Sequence, residues 1–499
     1  MAKILLVYAN SFMDNLIPTG LSILSACLKK AGHNTKLFDT TFYKTVERTG
    51  DDARIETLQV KSTNLGEYGL NEKKTNMVDD LKKMVDEYQP DLIGLSIVET
   101  TQEIGLKLLN GIKDYDIPKI VGGVQVTMAP DYIISQDCVD MICVGEGEGA
   151  FVELANAIEK KEDYTHIKNL WIKKDGQIIK NPLRPLIDLN TVPMQDWTIY
   201  EEKRLYKAFG GKHWVSGPIE LNRGCVHRCA YCCNAKLQDL HKGDRFYARE
   251  RSLDKFFEEL KYRVDKYGLQ YPYFIAENFM QGGPARFEEF CKRYKEFKLP
   301  FWSQMRVETM NDDVARKLKE IGCERLSMGV EHGNYEFRKE VLNRNITDET
   351  IIKAFKSVKD AGLLVFANNI VGFPGETREL YFDTVELNRK LGVKSIINVF
   401  CAYRGTHLRD VAVEREYMDK DAVAGDYRRD VKLNMPHLTA KQVEGLQRTF
   451  LLYVNLPREY WPEIEKAEKF DEEGNATFQK LAKLYFEKYE PGVKNVEQN

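Results

Sequence analysis

The sequence is short of the features that would mark a membrane, nucleic-acid-binding or secreted protein. No run of about 18 apolar residues occurs, so no membrane span is expected. Lys and Arg (73) almost balance Asp and Glu (76), and a net charge of −3 leaves no basic footprint for nucleic acid. The opening Met-Ala-Lys-Ile-Leu-Leu-Val-Tyr is too short an apolar stretch for a signal peptide and reads as a strand. Ten cysteines without an export signal point to free thiols in a reducing cytoplasm. There is no second CxxC pair or late HxxxH to complete a zinc site. The GxGxxG spacing of a dinucleotide loop is also missing.

What is present is a cysteine loop. Cys225, Cys229 and Cys232 stand in CxxxCxxC spacing just after the apolar run at 218–221. Three thiolates on one short loop can hold three irons of a 4Fe–4S cluster and leave the fourth iron open. Arg223, His227 and Arg228 add positive charge that favours the thiolate form, and Gly224 permits a tight turn. A cluster is therefore the expected reading, ahead of zinc or packing thiols. Cys233 is expected to be a packing residue.

With 499 residues the chain should hold two or three domains. Residues 1–160 alternate helical stretches with five short apolar strands, near 4–8, 35–38, 91–96, 119–121 and 140–144. That alternation predicts an open, doubly wound, Rossmann-like α/β sheet, whose ligands sit beyond the carboxyl ends of the strands. Those ends carry Asn10, Ser96, Gly122, Gly123, Thr127, Gly145 and Glu146. The polar stretch 42–75 reads either as a cover for a bound ligand or as a mobile surface loop. His33, in a turn before a strand, reads as a surface residue. Residues 161–215 read as a connector, with a hairpin around Asp175-Gly176 and prolines at 182, 185 and 193.

From 216 to 410, strands are expected at 218–223, 271–276, 301–306, 324–330, 363–371 and 394–400, with helices between them. Six βα units suit a partial (βα)6 barrel of the TIM kind, with functional groups at the strand C-termini. Glu277, Glu331 and Glu376 fall just after such strands. A helix-start carboxylate is the plain alternative for each, and His332 and Cys323 read as core or surface. Residues 411–499 form a helical tail whose Phe450, Tyr453, Tyr460 and Trp461 should pack a small core, and the end from 491 reads as disordered.

The stretch Cys225-x-x-x-Cys229-x-Tyr231-Cys232 resembles the signature of the radical S-adenosylmethionine (SAM) superfamily, including the aromatic before the last Cys. The loops of 1–160 resemble the cobalamin-binding domain that precedes many radical SAM domains. The matching pieces are 18–21, 31–34 with Asp39, Gly122-Gly123 with Thr127 and Pro130, and 145–148. The resemblance implies three cofactors: a 4Fe–4S cluster on the three cysteines, SAM on its open iron, and cobalamin. It implies SAM contacts at Tyr231, Glu277, Glu331 and Glu376. It implies cobalamin contacts at Ser96, Gly122, Gly123, Thr127, Gly145 and Glu146. Gln304-Met-Arg306 is similar to a pattern of cobalamin-linked relatives, and Arg344 stands where the family commonly has an Arg. Two departures stand out. The Asp-x-His-x-x-Gly motif that supplies a cobalt-ligating His in cobalamin mutases is absent, and Gln125 stands where many relatives carry a His.

The activity implied is reductive cleavage of SAM to a 5′-deoxyadenosyl radical, with methylcobalamin delivering a methyl group to an unactivated carbon or phosphorus centre. Alternatives are a non-methylating rearrangement, cyclisation or oxidation, and an iron–sulfur sensor without catalysis. The implied partners are a small-molecule or natural-product substrate and an electron donor such as flavodoxin or ferredoxin. No residue is singled out as the substrate's catalytic partner.

Overall fold

A computed structural model describes residues 1–61, 65–209, 212–242 and 247–489. The chain divides into two compact units. Met1–Thr49, Asn64–Val226 and Lys236–Ile275 form the first; Gly50–Thr63, His227–Ala235 and the chain from Ala276 onward form the second.

In the first unit, uninterrupted apolar runs make strands buried on both faces. Strand β1 (Lys3–Tyr8) lies between β2 (Asn34–Asp39) and β3 (Leu92–Ser96), parallel to both. β4 (Lys119–Gly122) and β5 (Met141–Cys143) continue the parallel sheet. Alternate residues feed two cores: Leu5, Val7, Ile93 and Val121 point to one, and Ile4, Leu6, Leu92 and Ile120 to the other. This is the doubly wound sheet expected. Its order, 2-1-3-4-5, reverses direction between β1 and β3, the point where such sheets open a crevice at the strand ends. The hairpin β6 (Leu170–Lys174) and β7 (Gln177–Lys180) adds two antiparallel strands beside β5. Its turn residues Asp175 and Gly176 both take positive φ, 52° and 75°, as a hairpin turn of that hand requires.

His33 corrects the surface expectation: it is only 3% exposed. The Ala2 N–H donates to its Nδ1 at 3.2 Å, and its Nε2 lies 3.0 Å from Asn156 Oδ1 on helix Glu148–Lys160. The turn is covered by an element far away in sequence, which local reading does not see.

The first unit also contains β8 (Tyr206–Phe209) and β9 (Lys212–Glu220), an antiparallel pair. A short ladder joins β10 (Asn222–Arg223) to β11 (Arg249–Glu250), and β12 (Tyr271–Ile275) runs parallel to β9.

In the second unit β13 (Phe301–Met305), β14 (Cys323–Glu331), β15 (Leu364–Val371) and β16 (Lys394–Val399) lie side by side in parallel. Helices Asp312–Glu320, Asp348–Asp360 and Arg378–Leu391 connect them. Thr347 caps the second, its hydroxyl accepting from the Thr350 N–H at 3.3 Å, with Asp348 and Glu349 in the first turn. The βα repeat is that of the partial barrel expected. Along β15, Val365, Ala367, Asn369 and Val371 are buried while Leu364, Phe366, Asn368 and Ile370 are half-buried, as in a strand covered by helices on one side.

Within 42–75 the structure has a helix, Gly50–Glu56, that belongs to the second unit. Gln59 Nε2 donates to the Ile397 carbonyl at 3.0 Å, and the Ile397 N–H donates back to Gln59 Oε1 at 3.0 Å. One amide side chain thus pairs both backbone groups of Ile397 on the outer rim of β16, the end strand of its sheet. In the tail, helix Ala440–Asn455 begins at a capping box of Thr439 and Gln442. Phe450 and Tyr453 are core residues there, with Tyr460 and Trp461 packed against them. The end from 491, and residues 62–64 of the polar stretch, lie outside the described residues. Among the described residues no helix is long and apolar enough to cross a membrane.

Candidate active site

The cysteine loop starts from a strained turn. Gly224 has φ +85°, and a Cβ there would run into the Tyr247 carbonyl, so glycine is required on both counts. Gln238 Nε2 then holds the Cys225 carbonyl at 2.7 Å. Farther along, the Ala230 N–H donates to the Leu342 carbonyl (3.0 Å) and the Leu408 N–H to the Ala230 carbonyl (3.2 Å). Ala230 itself packs with Phe337, Phe373 and Phe400.

None of the ten cysteines is in a disulfide. Around the second and third thiols the protein has placed donors: Arg306 Nη1 lies 3.7 Å from Cys229 Sγ, and Asn234 Nδ2 3.5 Å from Cys232 Sγ. A hydrogen bond from the Cys233 thiol draws Cys232 down to about 7, and Cys233 is raised in return. Cys233, expected only to pack, thus supports its neighbour's thiolate. Among the described residues no group of three or more His, Cys, Asp or Glu side chains is gathered to hold a metal ion; what the structure shows is guanidinium and amide N–H groups at Cys229 and Cys232, donors suited to anionic sulfur.

The carboxylates at the strand ends divide into two kinds. Glu277 accepts from Asn234 Nδ2 at 3.1 Å. Crowding by neighbouring atoms raises its pKa, although part of the residue stays open to water, which tempers the shift. Glu331 is a non-glycine residue at φ +69°, beside a register shift between β14 and β15. Such strain is kept where geometry serves a site. The Tyr231 phenol hydrogen-bonds its carboxylate; burial raises the carboxyl pKa while Arg344 and Tyr231 oppose. Arg344 Nη2 donates to the Gly329 carbonyl at 2.6 Å. Tyr231, Glu331 and Arg344, each picked out from sequence, form one cluster. Glu331 folds back over Gly329, where a Cβ would collide with its carboxylate. Gly329→Ala is therefore expected to displace Glu331 and, given the SAM contact that the sequence resemblance implies for this carboxylate, to weaken SAM binding about tenfold with iron content unchanged. Equilibrium dialysis with labelled SAM measures it.

Glu376 is different. It is fully buried, and its Oε2 accepts from the Gly372 and Phe373 N–H groups at 2.6 and 3.1 Å. Its Oε1 lies 3.3 Å from Nε2 of His332, whose ring stacks on Phe337. Its carboxylate shapes the turn 372–376.

At the ends of β3–β5, Ser96 pairs in register with Gly122, and the Ile97 N–H donates to the Gly122 carbonyl at 3.1 Å. Gly123 has φ +109°, and a Cβ on it would collide with Ile97. Nothing lies within 4 Å of where a Gly122 Cβ would stand. Thr127 Oγ1 accepts from the Gly145 N–H at 2.9 Å, binding two of the loops together. Gln125 Nε2 donates to Gln102 Oε1 at 2.8 Å. Val98 (44%) and Val124 (39%) are exposed beside this backbone. A shelf of glycine with two bare valines fits a flat, largely apolar macrocycle such as a corrin.

Glu146, by contrast, is committed to the protein. Arg223 Nη1 reaches its Oε1 at 2.8 Å and also Glu148 Oε1 at 2.7 Å. Arg249 donates to both Glu146 oxygens at 2.5 and 3.0 Å. Burial alone would raise Glu146, but the two guanidiniums hold it at about 2. Sequence reasoning missed Arg249 and Asn234. Arg249 falls opposite Arg223 in the β10–β11 ladder, and strands this short carry no period to read.

Comparison with known families gives both parts of the chain a class. The Radical SAM superfamily matches residues 219–388, and the B12 binding domain matches residues 5–155. The chain thus carries a B12 binding domain followed by a radical SAM domain. Among curated proteins it is similar to the "uncharacterized methyltransferase PH0819" of Pyrococcus horikoshii, 27% identical over 391 residues, covering 76% of this chain and 81% of the relative. It is also similar to the cytidylyl-2-hydroxyethylphosphonate methyltransferase of Streptomyces wedmorensis, 22% identical over 392 residues, 72% of this chain and 69% of that one. Among solved structures, the radical SAM methyltransferase TsrM of Kitasatospora setae, with cobalamin and a 4Fe–4S cluster bound, superposes with a TM-score of 0.68. That match is 15% identical and covers 97% of this chain and 99% of TsrM.

Proposed function

We propose that the protein is a cobalamin-dependent methyltransferase that methylates a carbon or phosphorus centre of a small-molecule substrate. The observation that carries this reading is the presence, on one chain, of the three-thiol loop with its Tyr231–Glu331–Arg344 cluster and of the glycine shelf at Gly122-Gly123. Two methyltransferases among the similar proteins support it. When bound, the cluster and SAM supply the radical and cobalamin carries the methyl group. The chain's own contribution is to hold them.

Cys225, Cys229 and Cys232 are the iron ligands in this proposal. Tyr231, Glu277 and Glu331 face SAM, with Glu331 and Glu277 as acceptors for its ammonium or ribose hydroxyls. Glu376 acts on SAM through the backbone of the turn it shapes. Ser96, Gly122, Gly123, Thr127 and Gly145 receive cobalamin, and Glu146 serves there by anchoring its loop. A flavodoxin or ferredoxin delivers the electron. Ten free thiols suit a reducing cytoplasm.

The test is anaerobic purification and reconstitution with iron, sulfide and hydroxocobalamin, followed by SAM labelled in its methyl group and a low-potential reductant. About four irons per chain, a retained corrin spectrum, label on the corrin and 5′-deoxyadenosine are expected. Corrin retained without label transfer overturns methylation. Zinc in place of iron overturns the radical reading.

A further inference from the structure

Arg306 stands apart from the carboxylate clusters. Its side chain is 13% exposed and follows directly after β13. Two of its nitrogens, Nε and Nη2, donate to Glu308 Oε1 at 3.1 and 2.6 Å. Its own N–H donates to Asn278 Oδ1 at 3.3 Å. A guanidinium is a rigid planar fork, so fixing two of its nitrogens on a carboxylate also fixes the direction of the third. That third nitrogen, Nη1, meets Cys229 Sγ at 3.7 Å.

We propose that Arg306 donates to the cluster-bound sulfur of Cys229 and raises the cluster's reduction potential, with Glu308 as the positioning residue that restrains this effect. The inference rests on the cluster reading above. The physics is that reduction adds one negative charge to the cluster. An N–H donor carrying positive charge stabilises the reduced form more than the oxidised one. Glu308 orients the fork but also offsets part of its charge. The two residues should therefore shift the potential in opposite directions when neutralised. A pair held too far from the cluster to act on its charge predicts no shift in either variant.

The experiment uses the full chain, reconstituted with iron and sulfide alone, comparing wild type with Arg306→Gln, Arg306→Lys and Glu308→Gln. Iron per chain is measured first, and then the EPR signal of the reduced cluster at a series of fixed potentials. Arg306→Gln is expected to lower the reduced-to-oxidised ratio at a fixed potential about tenfold, a shift of about 59 mV for a one-electron couple. Arg306→Lys should restore part of it. Glu308→Gln should raise the ratio. A wild-type midpoint in Arg306→Gln at equal iron content overturns the proposal. If Arg306→Gln fails to hold iron, Glu308→Gln decides: an upward shift supports the proposal, and an unchanged or lowered midpoint overturns it. Wild type without iron overturns the cluster reading itself, which separates that failure from this one.

Discussion

Cys229→Ala, reconstituted without oxygen, is expected to lose its iron and to form no 5′-deoxyadenosine above the uncatalysed background. Cys225→Ala and Cys232→Ala should do the same. The expected fall in SAM cleavage is at least about 10³-fold, set by detection, because an enzyme's acceleration is typically 10⁶ or more and here all of it passes through the cluster. Three protein thiolates already leave one iron without a protein ligand, so the loss of another removes a tie that has no substitute. The contrast lies with the other cysteines. Cys143 is buried and its thiol is pushed up to about 12, so it stays protonated and Cys143→Ala should retain iron. Cys233 supports the Cys232 thiolate without lying at a ligand position of the motif, so Cys233→Ala should also keep its iron, with slower reconstitution. Iron loss in Cys233→Ala and not in Cys232→Ala would reverse the two assignments. Iron assay and product chromatography on five variants suffice.

The parts of this protein that depend on near neighbours were legible in its sequence. Ile4 to Val7 could only be a strand buried on both faces, and the turn residues Asp175-Gly176 dictated their hairpin. The cysteine spacing and the carboxylates after strands are also local patterns, and it is the family resemblance built on them that named Tyr231, Glu331 and Arg344 before their meeting was known. What escaped is long-range. His33 is buried because helix Glu148–Lys160 covers it, and Gln59 completes a strand 338 positions away. Glu146 illustrates the same point at the site. A carboxylate in a glycine loop reads as a ligand contact until its two arginines, 77 and 103 residues downstream, are placed on it.

That ion cluster carries the second large expected effect: Arg223→Ala should cost about 3–5 kcal/mol of stability, the usual penalty for leaving buried charge without its partner. Arg223 meets Glu146, Glu148 and Glu220, and among the described residues only Glu146 has a second guanidinium, that of Arg249. Removing Arg223 strands two buried carboxylates at once. For a cooperative unit of about 150–250 residues, the loss corresponds to a melting temperature lower by roughly 6–20 °C. Glu146 adds a dependence on pH whose sign is fixed. Its folded pKa, about 2, lies below the ordinary 4.5. Its contribution is therefore complete above pH 4.5 and disappears as pH falls toward 2, amounting to about 3 kcal/mol across that range. Glu146→Gln should flatten the acid limb of stability between those two values while leaving corrin binding nearly intact, because in the proposed function the corrin contacts are Gly122, Gly123 and Gly145 and Glu146 only anchors its loop. Denaturant unfolding at a series of pH values, together with hydroxocobalamin retention on gel filtration, reads both. A Glu146→Gln protein that keeps the wild-type acid limb but sheds its corrin would make Glu146 a direct contact of the cofactor and not the anchor of its loop.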